Sequence, residues 1–207
     1  MKLLIFDFDG VIADTFADMI RFAQEVCDEL GVDHTVVASD ISDLEIMSFS
    51  TFGQACDVSE KLIGEFVLRC TRKFAEKPTP PPIFDGMQDV VRELAEKNIL
   101  IVVTGNTTEN VNAFLQCYKL QDCFQMVYGV DMPGSKAEKI LMAKQQFGTK
   151  NDATFLIGDS LSDIRAARET NVTSVAVEWG HQELDLLLEG KPDLIVHSPM
   201  ELLEVLI

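Results

Sequence analysis

The stretch Leu3-Leu4-Ile5-Phe6-Asp7-Phe8-Asp9-Gly10-Val11 (LLIFDFDGV, residues 3–11) decides how the rest of the chain is read. Its first four residues form an apolar run without alternation, the pattern of a strand buried on both faces. The run ends in two aspartates one residue apart, closed by a glycine. Carboxylates that close repel each other and resist leaving water, so an isolated Asp-Phe-Asp-Gly reads as a strand entering a solvated turn. The other reading, a paired-carboxylate site at the end of a central strand, needs matching groups from elsewhere in the chain.

Similar runs recur as ILIVV (99–103), MVYGV (126–130), TFLI (154–157), SVAV (174–177) and DLIV (193–196). Helical spacing fills the intervals, as in Val90, Val91 and Leu94, in Val111, Phe114 and Leu115, and in Leu184, Leu187 and Leu188. Strands alternating with helices predict an α/β fold, a parallel sheet wound on both faces. Residues 15–83 break the alternation. They hold helical periodicity and no convincing strand: Phe16, Met19, Ile20, Ala23, Cys27 and Leu30 precede a stop at Gly31. A second helix runs through Leu62, Ile63, Phe66, Val67, Cys70 and Phe74, with Asp57 and Glu60 spaced as a capping box at its start. The prolines of PTPPP (78–82) make a semi-rigid connector. The expectation is a helical domain, 15–83, inserted into an α/β core made of 1–14 and 84–207. Helices belonging to the core's outer layer are the alternative, which so long a strand-free interval disfavours.

The chain has 207 residues, 47% of them hydrophobic and 25% charged, as expected of one globular core with a small accessory domain. Its net charge of −17 disfavours nucleic acid and anionic bilayers as partners, and no apolar run approaches the length of a membrane span. The same charge means that an anionic small substrate needs a bound cation or a few well-placed positive groups. Five cysteines, with no CxxC pair and no apolar signal core at the N-terminus, fit a reducing cytoplasm. No feature assigns an oligomeric state.

In open parallel sheets ligands bind beyond the carboxyl ends of the strands, so those ends test the Asp-Phe-Asp-Gly stretch. The first carries Asp7 and Asp9. The second runs into Thr-Gly-Asn, placing the Thr104 hydroxyl and the amides of Gly105 and Asn106 before a helix whose N-terminal donors suit an anion. The third is followed by Gly-Ser-Lys with Lys136, and the fourth by Gly-Asp-Ser-Leu-Ser-Asp with Asp159 and Asp163. Singly, each has an ordinary explanation: Thr104 and Asp159 can cap helices, and Lys136 can be a solvated first-turn lysine. Jointly, they place acids, a hydroxyl with flanking amides and a lysine at four successive strand ends.

On these residues the chain resembles the haloacid dehalogenase superfamily, specifically its phosphatases with a helical cap, and phosphoglycolate phosphatases in length and layout. The resemblance spans the whole chain, through DFDGV (7–11), TGN (104–106), Lys136, GDSLSD (158–163) and VEWG (177–180). It implies a sheet with the first strand between the second and fourth. It also implies magnesium held by Asp7, the backbone carbonyl of Asp9 and Asp159, with Asp163 either binding directly or holding a coordinated water.

The spacing suits phosphoryl transfer. Asp7 can attack phosphorus and form an aspartyl-phosphate. Asp9, two residues on in an extended chain, can stand beside the same group, protonate the leaving alcohol and later deprotonate the attacking water, while Phe8 packs away. Oxygen-only ligands point to Mg2+, and Thr104, Gly105, Asn106 and Lys136 would bind the phosphoryl oxygens. Dehalogenases of the superfamily lack an acid at the position of Asp9, so Asp9 favours phosphoryl chemistry.

The expected function is therefore hydrolysis of a small phosphorylated metabolite such as phosphoglycolate. A sugar-phosphate mutase of the β-phosphoglucomutase type is the alternative enzyme, and a non-catalytic binding or regulatory protein the alternative of another class. A receiver domain lacks the cap and the Asp-x-Asp spacing, and Gly134-Ser135-Lys136 has no P-loop around it. In the cap, Arg21, Arg69, Arg72 and Lys73 either meet an anionic leaving group or form a solvated helix face. His181, beside Trp179-Gly180, either touches substrate or is an ordinary loop histidine, and the second reading is preferred.

Overall fold

The computed structural model describes residues 1–207. The apolar stretch forms β1 (Leu3–Phe6), and four helices follow before the prolines at 78–82: α1 (Phe16–Leu30), α2 (Ser39–Ser42), α3 (Phe49–Ala55) and α4 (Ile63–Ala75). The chain then alternates through α5 (Met87–Ala95), β2 (Ile99–Val103), α6 (Thr108–Cys117), β3 (Phe124–Tyr128), α7 (Lys136–Phe147), β4 (Thr154–Gly158) and α8 (Leu161–Glu169). It closes with β5 (Thr173–Val177), α9 (Leu184–Glu189), β6 (Leu194–Val196) and α10 (Glu201–Leu206). No helix is long and apolar enough to cross a membrane.

The six strands are all parallel in the order β3-β2-β1-β4-β5-β6, so β1 lies between β2 and β4. Its side chains divide between the two faces: Leu4 and Phe6 pack with Val90, Leu94 and Phe114, while Leu3 and Ile5 pack with Ile140, Ala143 and Ala167. Burial on both faces is what the unbroken apolar runs predict, and it makes the sheet a rigid platform.

The helices between β1 and α5 have their own apolar cluster, including Ala23, Val26, Cys27, Ile41, Phe52, Phe66 and Cys70. Phe52 and Phe66 meet edge to face with ring centroids 6.3 Å apart. The chain enters and leaves this helical cap side by side, since the Asp14 amide donates to the Pro82 carbonyl at 2.8 Å and Ala13 bridges Ile83 antiparallel. The cap stands over the carboxyl ends of the strands. Gln182 ties it down by donating to the Leu44 carbonyl and accepting from the Leu161 amide at 2.6 Å.

Two local expectations are corrected. The helix expected second in this segment is α4, which begins at Ile63 without a side-chain cap, and Asp57 lies in a left-handed turn at φ 58°, so Asp57 and Glu60 form no capping box. The third strand is Phe124–Tyr128 rather than 126–130. It lies at the sheet edge, where Gln125 faces solvent and breaks the apolar run, whereas Val130 lies past the strand and is 58% exposed.

Candidate active site

Asp7 follows β1 directly, and its amide still pairs with the Ile157 carbonyl at 2.8 Å, so its backbone is fixed by the sheet. The Phe8 amide donates to Asp7 Oδ1 at 2.7 Å. The Phe8 ring turns away into the core and meets Phe114 edge to face, with centroids 4.9 Å apart. Gly10 then turns the chain back at φ 77°, and a Cβ there would fall 1.9 Å from Asp159 Oδ2. Only glycine meets both requirements.

The third and fourth strand ends converge on the same point. Ser135 caps α7 in a reciprocal capping box with Glu138, which places Lys136 at the first helical position. Lys136 Nζ donates to Asp7 Oδ2 at 2.7 Å and to Asp163 Oδ1 at 2.5 Å. Ser160, not Asp159, caps α8, and its hydroxyl donates to Asp163 Oδ2 at 2.5 Å. Asp159 is thereby left free to face the centre, where it accepts from the His181 amide at 2.8 Å. Gly180 lets that loop approach, since a Cβ there would fall 2.2 Å from Asp159 Cβ.

At the end of β2, Thr107 rather than Thr104 caps α6. Buried Thr104 accepts from the Asn106 amide at 3.0 Å, while Asn106 donates from its side chain to Asp9 Oδ2 at 3.1 Å. Asp7, Asp9, Thr104, Gly105, Asn106 and Asp159 all line one half-open cleft between core and cap, of about 870 Å³ including its mouth.

Burial raises the Asp9 pKa to about 6, with the nearby Asp7 charge adding to it and the Asn106 hydrogen bond opposing it. Asp159 is pushed well above the usual carboxylate range by burial and then by Asp7 and Asp163, and burial also raises Asp163 against the pull of Lys136. Burial works against the Lys136 charge, but Asp163 and Asp7 outweigh it and hold the lysine protonated. Four acids thus face one fixed positive charge, and Asp9, Asp159 and Asp163 hold their protons more tightly than free carboxyl groups do. Ligand oxygens of Asp7, Asp159 and Asp163 lie within 4.8 Å of one another. An all-oxygen donor set with such a deficit of positive charge fits a hard divalent cation.

His181 departs from the loop-histidine reading. It is only 5% exposed, stacks on Phe16 and meets Thr15 Oγ1 through Nε2 at 3.3 Å. Burial lowers its pKa to about 4, so at neutral pH the ring carries no charge towards Asp159. Its place after the fifth strand, at the sheet end where ligands bind, was the available signal. Other cleft residues the sequence did not single out include Met47, Ser48, Phe49, Thr71, Thr107 and Asn110. Thr71 interrupts an apolar stripe that also holds Phe74, and Asn110 lies one helical turn after Asn106.

The basic cap residues stay outside. Arg69 pairs with Glu29 and Glu65, Lys73 with Glu25 and Glu29, and Arg21 with Asp18 and Glu25. Arg72 is exposed. None of the four lines the cleft.

The family model described as haloacid dehalogenase-like hydrolase matches residues 4–177. A phosphoglycolate phosphatase of Synechococcus elongatus is 25% identical over 99% of this chain and 96% of its own length. An N-acetylmuramic acid 6-phosphate phosphatase of Pseudomonas putida is 27% identical over 100% of this chain and 96% of its own. A solved haloacid dehalogenase-like family hydrolase from Streptococcus pneumoniae superposes with a TM-score of 0.88 at 27% identity, covering 99% of this chain and 98% of that one.

Proposed function

Because the chain belongs to the haloacid dehalogenase-like hydrolase family, we propose that it is a magnesium-dependent phosphatase hydrolysing a small phosphorylated metabolite through an aspartyl-phosphate at Asp7. The observation that carries this reading is the division between neighbouring acids. Asp7 presents its carboxylate against Lys136, whereas Asp9 keeps its proton to about pH 6. Paired carboxyl groups in such unlike surroundings suit a nucleophile and an acid.

In the first half-reaction an Asp7 carboxylate oxygen bonds to phosphorus while the ester oxygen leaves and takes the Asp9 proton. In the second, Asp9 removes a proton from water, whose oxygen bonds to phosphorus, and the acyl-phosphate bond breaks to restore Asp7. Lys136, Thr104 and the Gly105 amide offset charge on the phosphoryl oxygens, and Asn106 orients Asp9. Asp7, Asp159 and Asp163, with the Asp9 carbonyl, would hold the magnesium ion, which supplies the missing positive charge. Residues 15–83 act as the cap that shapes the leaving-group side, and the five unpaired cysteines accord with a cytoplasmic setting.

The names of the two relatives support a small phosphorylated metabolite as substrate, and phosphoglycolate is the first compound to test. Phosphate release from a metabolite panel, with and without magnesium and with Asp7→Asn, tests the reading. Magnesium-dependent release that Asp7→Asn abolishes is expected. Turnover that survives Asp7→Asn, or net isomerisation of glucose phosphate with little free phosphate by phosphorus NMR, would overturn it, the latter in favour of the mutase.

A further inference from the structure

The leaving-group side of the cleft has a consistent chemical character. Its walls are Met19, Met47, Phe49, Phe74 and Val130, with Ser48, Thr71 and Asn110 between them, and it has no arginine or lysine. Lys77 lines an adjoining pocket that shares Phe74 and Asn110 with the cleft, and it is paired with Asp18. Lys136 is engaged on the phosphoryl side by two carboxylates. The His181 ring is engaged by Thr15 Oγ1 and stacked on Phe16, and the Ser48 hydroxyl is committed to Thr51, accepting from its amide at 3.1 Å. An anionic leaving group would therefore have no charged partner while facing Asp9, in a chain of net charge −17.

The free hydrogen-bonding capacity is also uncharged throughout. Thr71 spends its proton on the Val67 carbonyl at 2.8 Å, and Asn110 spends an amide proton on Asn106 Oδ1 at 3.1 Å. What remains is a Thr71 lone pair, Asn110 Oδ1 with one amide N–H, and the Thr107 hydroxyl, which accepts from the Asn110 backbone amide at 3.3 Å. Such a neutral set of acceptors and donors pairs in full with hydroxyl groups, which both donate and accept, whereas a carboxylate can use only the donors and is repelled by the acceptors.

We propose that the alcohol released is uncharged and hydroxyl-bearing, with one apolar face. Its hydroxyls donate to Thr71 and Asn110, and its carbon skeleton rests on Met19, Phe49 and Phe74. The inference rests on the phosphatase reading and narrows it to polyol- or sugar-like monoesters, against short phosphorylated acids. A buried carboxylate without a partner is penalised heavily enough to show in rates.

The test compares kcat/KM for two matched pairs: phosphoglycolate against phosphoglycolamide, and a polyol phosphate against the aldonic acid phosphate of equal length. p-Nitrophenyl phosphate serves as a control for the chemistry. The neutral member of each pair is expected to lead by about tenfold or more. With p-nitrophenyl phosphate turned over, equal or better use of the acids would overturn the inference and leave the phosphatase reading intact. Loss of all turnover, including the control, would overturn the phosphatase reading and this inference with it. Thr71→Lys, checked for folding by circular dichroism, should narrow or reverse the preference by giving the carboxylate a partner. An unchanged ratio in that folded variant would also count against the inference.

Discussion

Replacing Asp9 by asparagine should make the protein more stable while disabling it. Burial and the Asp7 charge raise Asp9 from 3.8 to about 6, so the folded state holds the proton more tightly than the unfolded chain does. Below the unfolded pKa both states are protonated and there is no penalty. As pH rises from about 4 to about 6 the unfolded chain gives up its proton first, and stability falls; above that the loss is constant. Two units at ~1.36 kcal/mol each come to roughly 3 kcal/mol, which solvent access to a half-buried carboxyl reduces to about 2. Asp9→Asn removes the charge and keeps an acceptor for Asn106. In urea denaturation with a chelator present, the variant should therefore exceed wild type by about 2 kcal/mol at pH 7.5, with the gap shrinking below about 1 kcal/mol near pH 4. Its turnover should fall most for esters with poor leaving groups, which depend on the lost proton. A variant less stable at pH 7.5, or a gap that does not change with pH, would refute the electrostatic account of Asp9.

Lys136→Met leaves four acids without a fixed positive charge. It should cost roughly a hundredfold or more in kcat/KM, and in chelator it should lower the urea midpoint, with magnesium restoring part of the loss. A midpoint that magnesium does not shift would contradict the shared-charge picture. Gly180→Ala sets a Cβ against Asp159 and should weaken magnesium activation by about tenfold or more, measured by titrating activity with the ion. Unaltered activation would mean that Asp159 is not a ligand. Arg69→Ala combined with Lys73→Ala should leave kcat/KM unchanged, because both side chains pair with Glu25, Glu29 and Glu65 away from the cleft. A clear loss for any substrate would place the cap's cations in the site after all.

The parallel sheet was legible because strands buried on both faces must be continuously apolar, and the acids at their ends then stand out. The place of β1 between β2 and β4 came from the family resemblance, since apolar runs do not encode strand order. Edge strand β3 was harder to read, since solvent on one side allows Gln125 into the run. Asp7, Asp9, Thr104, Lys136, Asp159 and Asp163 were read as a set from position alone. The caps that hold them were not: Thr107, Ser135 and Ser160 occupy the N-cap positions that leave Thr104, Lys136 and Asp159 facing the centre. The Ser135-x-x-Glu138 spacing of a capping box was in plain view. What helical periodicity does not encode is pairing across helices. Arg69 and Lys73 have the spacing of a substrate-facing patch, yet α1 supplies Glu25 and Glu29 to bind them. The burial of His181 likewise depends on Phe16 and Thr15, which reach it from the far end of the chain.

The central claim is that Asp7 carries the phosphoryl group during turnover. Quenching the enzyme during turnover of p-nitrophenyl phosphate in magnesium, reducing with borohydride and mapping peptides by mass spectrometry tests it most directly, because an aspartyl-phosphate is converted to homoserine. The account predicts homoserine at position 7 in the turning-over enzyme and none in enzyme without substrate. Turnover with position 7 unmodified, or with the reduced residue elsewhere, would contradict it.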